Sequence, residues 1–201
     1  MTRRVKRIPE ELRREQIMEA SFAVAARAGI GGLTVRAVAT EARVSHALVL
    51  FHFGTKDRLV SELLEWLIAG MAVLRMTEDI ARLPHARDRL HALLQQEMAR
   101  MSDQPEHTRL FLEYWAMGVG NSPIRSRISG EMERYRKAFQ AIMEKLVNSE
   151  PASFVGVTAD GLAAVAASWI HGCAVQAMVD PEHFDVDGYL RAVRGMIARP
   201  K

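Results

Sequence analysis

The 201-residue chain holds one cysteine, Cys173, so an internal disulfide framework is excluded and a reducing compartment fits. Aromatic residues make up only 6% of it. No apolar run approaches the roughly 20 residues of a membrane span, because Glu, Arg, His or Gly interrupts each candidate. The first residues, Met1 to Pro9, are basic but lack the apolar stretch of a signal peptide. A cytoplasmic location without a membrane partner is therefore expected. No segment alternates polar and apolar residues as a strand does, and no internal repeat is visible. With 49% hydrophobic and 25% charged residues, the chain is not disordered, collagen-like or a coiled-coil rod.

The net charge is only +3, but its distribution is uneven. Residues 1–60 hold 11 Lys and Arg against 6 Asp and Glu, whereas residues 61–201 hold 16 against 18. A basic N-terminal part thus precedes a mildly acidic remainder. An acidic polymer is the indicated partner, nucleic acid before an anionic membrane surface, with a merely solvated charged face as the alternative.

Helical periodicity dominates. Ile17, Ala20, Ser21, Val24 and Ala28 form one stripe, and Gly29 stands where a C-terminal cap is expected. Thr34 is a good N-cap for a helix carrying Val35, Val38, Ala39 and Ala42. Arg43 and Val44 then lead to a second N-cap, Ser45, and a short helix from His46 to about His52 that Gly54 stops. Thr55 caps a longer helix carrying Leu59, Leu63, Leu64, Leu67, Ile68 and Met71. Further helices are expected over about 86–101, 105–119, 123–148, 157–179 and 186–198, with breaks at Pro- and Asp-containing joints. The predicted fold is all-α, with a helix-turn-helix head over 1–54 and a larger helical body over 55–201.

Two short helices joined by a tight turn suggest a helix-turn-helix, whose second helix enters the major groove. Val38, Ala39, Val44 and Val49 can hold the pair together, while Ser45, His46, Ala47 and Leu48 begin the helix that would face DNA. Thr34, Ser45 and Thr55 gather three helix N-termini suited to phosphate. Lys56 is disfavoured in a first helical turn unless an anion approaches. The bland alternative is a helical corner with no partner.

The run from Thr34 through Arg36, Val38, Ala39, Ala42 and Val44 to Ser45, followed by Phe51-His52-Phe53-Gly54-Thr55-Lys56-Asp57, resembles the DNA-binding signature of the TetR family of dimeric transcriptional regulators. The spacing agrees without gaps over residues 12–64. The resemblance implies a DNA-binding head, a ligand-binding helical body and dimerisation through the last two helices. The residues expected to contact DNA are Thr34, Arg36, Arg43, Ser45, His46, Ala47, Leu48, His52 and Lys56. Two departures stand out: Arg43 occupies the usual turn glycine, and Leu50 replaces an aromatic that often contacts phosphate. Arg43 is a candidate to replace that contact. The basic arm Arg3, Arg4, Lys6 and Arg7 is a second candidate for DNA, against a frayed terminus.

The body carries large apolar groups at helical spacing, which usually means core. In a family whose body encloses a ligand, Phe111, Trp115, Phe139 and Trp169 are the candidates to line the pocket, with His171 as its polar group. No metal or other cofactor is indicated. The stretch from Trp169 to Asp185 is similar to the branch containing the choline-responsive repressor of betaine synthesis, which commonly has Asp where His171 stands. Small residues at Ala163, Ala164, Ala166, Ala167, Ser168, Gly172 and Ala174, with the amphipathic stripe Val186, Tyr189, Leu190, Val193, Met196 and Ile197, suit a four-helix dimer interface.

The rival classes are a helical enzyme and a small-molecule-binding protein without sequence-specific DNA binding. His171 and Cys173 are two apart on a helix and do not face one another. No Ser-His-Asp pattern, phosphate-binding glycine loop or HExxH motif is present. The acidic and histidine cluster around Asp180 to Asp187 lacks a calcium loop's twelfth-position carboxylate, since Met196 stands there, and Asp185 reads better as a helix cap. The expected function is therefore a non-enzymatic repressor, binding double-stranded operator DNA as a homodimer and released by a small, largely apolar effector.

Overall fold

A computed structural model describes residues 9–70 and 76–197. Among these are ten α-helices and no strand. They are α1 (Glu10–Gly32), α2 (Val35–Glu41), α3 (His46–Phe53), α4 (Lys56–Gly70), α5 (Glu78–Arg82), α6 (Ala86–Asp103), α7 (Pro105–Gly120), α8 (Ser122–Ser149), α9 (Ala159–Val179) and α10 (Val186–Ile197). The basic arm and Met71 lie outside the described residues. The expected helices are all present, and the short α5, capped by Thr77, is an addition.

The chain divides into two compact units, and α7 and α8 contribute residues to both. The first joins residues 9–70 to Leu110–Arg125. Its core comprises Ile17, Val24, Leu33, Val38, Val49, Phe53, Leu59, Leu63, Leu64, Leu67, Leu110 and Tyr114, all buried. Packing of α1 on α4 is keyed by Phe22 and Trp66, with ring centroids 5.6 Å apart, and the Trp66 indole N–H donates to Glu15 at 2.8 Å. The second unit joins residues 76–109 to 126–197. Leu90, Leu93, Leu94, Phe139, Ile142, Met143, Ala166, Ile170, Leu190 and Val193 are at its centre. Compactness thus groups the chain differently from the division expected at residue 54.

The expectation that no apolar run is long enough for a membrane needs correction. Helix α9 spans 21 residues with a mean hydropathy of 1.5 and satisfies length and composition for a span. Its histidine and glycines do not lower the mean far enough to offset its Ala, Val and Ile. In this fold α9 is a core helix on one side, burying Ala163, Ala166, Ala167, Ile170, His171, Cys173 and Ala174. The small-residue stripe is consequently shared between two faces, because Ala164 and Ser168 are exposed while four of the alanines point inward. The outer face also exposes Val165, Val175 and Val179, and α10 exposes Met196.

Candidate functional site

The helix-turn-helix is built by capping. Thr34 Oγ1 accepts from the Ala37 N–H at 3.1 Å, Ser45 Oγ from Leu48 at 3.1 Å, and Thr55 Oγ1 from Arg58 at 3.2 Å. Each satisfies one orphan donor of its helix and leaves others in the first turn. Between α2 and α3 the chain turns through Arg43, whose φ of 54° is left-handed. The Val44 N–H reaches the Ala39 carbonyl at 3.0 Å and the Arg43 N–H reaches Thr40 at 3.2 Å. That pair of bonds is a Schellman motif, normally completed by glycine. Here an arginine bears the strain.

The described cations of this unit fall into three groups, one of which is Arg13, donating to Gln16, and Arg125, donating to the Gly118 and Val119 carbonyls. Arg14, Arg27 and Arg58 are each tied to a carboxylate: Arg14 and Arg58 to Glu62, and Arg27 to Glu41. Arg14 also donates to the His52 carbonyl at 3.1 Å and lies 4.7 Å from the Phe53 ring centroid, so it fastens the end of α3 to α1 and α4. By contrast Arg36, Arg43 and Lys56 are exposed and form no ion pair among the described residues. Thr34, Ser45, His46 and Ala47 are also exposed, and Leu48 and His52 are half-buried. Sequence reasoning passed over Phe51, which is 75% exposed on α3. Only the helix register separates Phe51 from the buried Val49 and Phe53.

Residues 110–125 brace this head from within the same unit. Tyr114 is fully buried and its hydroxyl donates to the Val60 carbonyl of α4 at 2.6 Å. Burial pushes the phenol well above its ordinary pKa. An open groove of about 820 Å³ borders Ile30, Lys56, Val60, Glu113, Met117 and Ile124.

The ligand candidates are divided between the units. Phe111 is buried and Trp115 half-buried, both in the first. In the second, His171 stacks on Tyr135 with centroids 5.4 Å apart, and Phe139 meets Tyr135 edge-on at 6.0 Å. Trp169 lies beside Leu94, Met98 and Tyr189 around a void too tight for water, and its carbonyl accepts from the Tyr189 hydroxyl at 2.9 Å. At the Tyr135–His171 cluster is a carboxylate that was not anticipated. Glu97 is 1% exposed, accepts from Arg100 at 2.8 to 3.2 Å, and receives the Tyr135 hydroxyl. Burial first, and then the Glu97 charge, raise the Tyr135 pKa, while burial lowers that of His171. A buried charge is costly unless paired, so this arrangement marks the polar centre of the unit. Its signal in the sequence is a glutamate on the stripe Leu93, Leu94, Glu97, Met98, Met101. Cys173 is buried, with its thiol pushed up to about 11, which suits packing and not nucleophilic attack.

Both the N-terminal and the C-terminal part of the chain match known families. Residues 17–63 match the family described as bacterial regulatory proteins, tetR family. Residues 86–199 match the family described as BetI-type transcriptional repressor, C-terminal. A transcriptional regulator of the helix-turn-helix type from the dhlA 5′ region of Xanthobacter autotrophicus is 28% identical over 178 residues, covering 85% of this chain and 82% of that one. The regulator BetI of Stenotrophomonas maltophilia is 26% identical over 176 residues, covering 86% and 87%. Among solved structures, a Saccharomonospora viridis transcriptional regulator in complex with choline superposes with a TM-score of 0.72 at 20% identity, covering 94% and 96%. The chain therefore belongs to the TetR family of transcriptional regulators, with a C-terminal domain of the BetI type.

Proposed function

We propose that this regulator binds a pseudo-palindromic operator as a homodimer and is released by a small effector held in the second unit. The observation that carries the DNA reading is the trio of exposed cations Arg36, Arg43 and Lys56, without an ion pair among the described residues, beside three capped helix N-termini. Phosphate would supply the missing counter-charge and accept the remaining first-turn N–H groups. Ser45, His46, Ala47 and Leu48 at the start of α3 are placed to read base edges in the major groove, with Thr34 and His52 flanking them. Arg43 takes over the phosphate contact that Leu50 cannot make. Functionally, residues 1–54 are the DNA-binding part and 55–201 the sensing and dimerising part.

The exposed Val165, Val175 and Val179 of α9, with Met196 of α10, pair across a two-fold axis, which sets the recognition helices at half-site spacing; the stripe Leu190, Val193 and Ile197 is turned into the core of its own unit instead. The effector site lies at Glu97, Tyr135, Phe139, Trp169 and His171 of the second unit; Phe111 and Trp115, in the first, are not part of it. A buried carboxylate among aromatic rings favours an apolar molecule carrying a cationic or hydrogen-bond-donating group. The choline bound by the Saccharomonospora viridis regulator has that character. Moving the dimer from 1:99 to 99:1 between operator-competent and released states requires about 5.5 kcal/mol of differential effector affinity. The lever is α4, which begins at Lys56.

The test is selection of bound DNA from a genomic pool, followed by a screen for molecules that release it. Specific binding should exceed non-specific binding by at least about a thousandfold at moderate salt. A monomer with only salt-sensitive, sequence-independent binding would overturn the reading.

A further inference from the structure

Helix α1 is interrupted at Gly29, where φ is 72° and ψ 171°. The interruption takes the Ile30 N–H out of the helical ladder. Its acceptor is Glu113 Oε2 of α7, at 2.8 Å. Ile30 is buried, and the turn it opens leads through the buried Leu33 to Thr34, the cap of α2. The positive φ calls for glycine there, and an added Cβ would crowd the same carboxylate oxygen at 3.2 Å. The next residue of α7, Tyr114, donates to the Val60 carbonyl on α4, one turn beyond Lys56. Neither bond is a generic helix-packing contact, since each joins a side chain to a named backbone atom across more than fifty residues of sequence.

Ile30 precedes the helix-turn-helix and Val60 follows it. We infer that Glu113 and Tyr114 are positioning residues for operator binding: together they fix both ends of the helix-turn-helix to adjacent points on α7. Any displacement of α7 moves the two ties at once and re-aims α2 and α3 as a body. The inference rests on the operator-binding reading above. It differs from it in placing control of affinity on two residues that touch no DNA.

The experiment uses the full-length protein and the operator sequence enriched in the selection. Glu113→Ala and Tyr114→Phe are each expected to weaken operator binding by about tenfold, the loss of one hydrogen bond, part-buried for Glu113 and buried for Tyr114, in each subunit of a dimer. Binding to non-specific DNA should change less than about twofold, because phosphate contacts remain. Glu113→Gln keeps an acceptor oxygen for Ile30 and should restore operator affinity to within about twofold. Amide exchange at Ile30, read by NMR, should accelerate at least about tenfold in Glu113→Ala and return in Glu113→Gln. Variants that lose thermal stability but keep the ratio of operator to non-specific affinity overturn the positioning role. So does unchanged Ile30 exchange in Glu113→Ala. If the unmodified protein enriches no sequence, the operator reading falls and this inference with it; if it does and both variants bind like it, only this inference falls.

Discussion

Arg43 can be tested by replacing it with the residue its backbone prefers. Its φ of 54° lies in the region that costs a non-glycine residue about 1–2 kcal/mol. Arg43→Gly removes that strain but adds unfolded-chain entropy, which costs about 0.5–1 kcal/mol. The net is a stabilisation of roughly 0.5–1 kcal/mol, or about 2–4 °C per kcal/mol in the melting temperature of a chain this long. DNA binding should move the opposite way. Each protomer loses one phosphate contact, so the log–log salt slope of a dimer should shrink by about two and operator affinity should fall at least about tenfold at moderate salt. The assays are calorimetric melting and fluorescence-anisotropy titration at several salt concentrations. Arg43→Lys, which keeps both charge and strain, should lie near the original in both. A glycine variant that binds with unchanged affinity and slope refutes the phosphate role. A glycine variant that melts lower refutes the strain account.

Other consequences are more compact. Arg36→Ala and Lys56→Ala should each weaken specific and non-specific DNA binding by similar factors and reduce the salt slope by about one per protomer, seen in the same titrations. Ser45→Ala removes the cap of α3 and should cost about 1 kcal/mol, measured by urea denaturation. His91, His107 and His171 all have lowered pKa values, with burial the largest cause. The unfolded chain therefore takes up their protons first: stability is intact above pH 6.5, falls once pH drops below that value, and the penalty is complete below the folded pKa values. His171→Gln should flatten that dependence in melting curves between pH 7 and 5, and an unchanged curve would exclude a contribution from His171. Val175→Asp on the exposed face of α9 should convert a dimer to monomers in sedimentation, whereas a monomeric unmodified protein removes the interface outright.

Much of this architecture is written locally. Thr34, Ser45 and Thr55 announce three helix starts because an N-cap needs only the next three residues to act. Gly54 adopts positive φ at the end of α3, and Gly29 does so where α1 is interrupted, three residues before its end. What escapes is any partnership between distant segments. Periodicity says that Phe139 and His171 face inward, but not that Tyr135 would join them around Glu97. The same limit separates Phe111 and Trp115 from the other ligand candidates, since a stripe names a face and not the unit it packs into. Helix α5 was missed for another reason: five residues are too few to display a period, although Thr77-Glu78-Asp79 carries the cap and acidic first turn of a helix start.

If α9 pairs as proposed, its apolar outer face makes subunit concentration part of the folding equilibrium. A helix with enough hydropathy to enter a lipid bilayer, and with Val165, Val175 and Val179 facing outward, is poorly suited to a solitary life in water. On the dimer reading, each tenfold dilution of subunits removes about 1.4 kcal/mol from the assembled state. A regulator present at few copies per cell would then sit closer to dissociation than the same protein at bench concentration. Operator DNA, by holding two subunits together, would protect them from unfolding as well as position them.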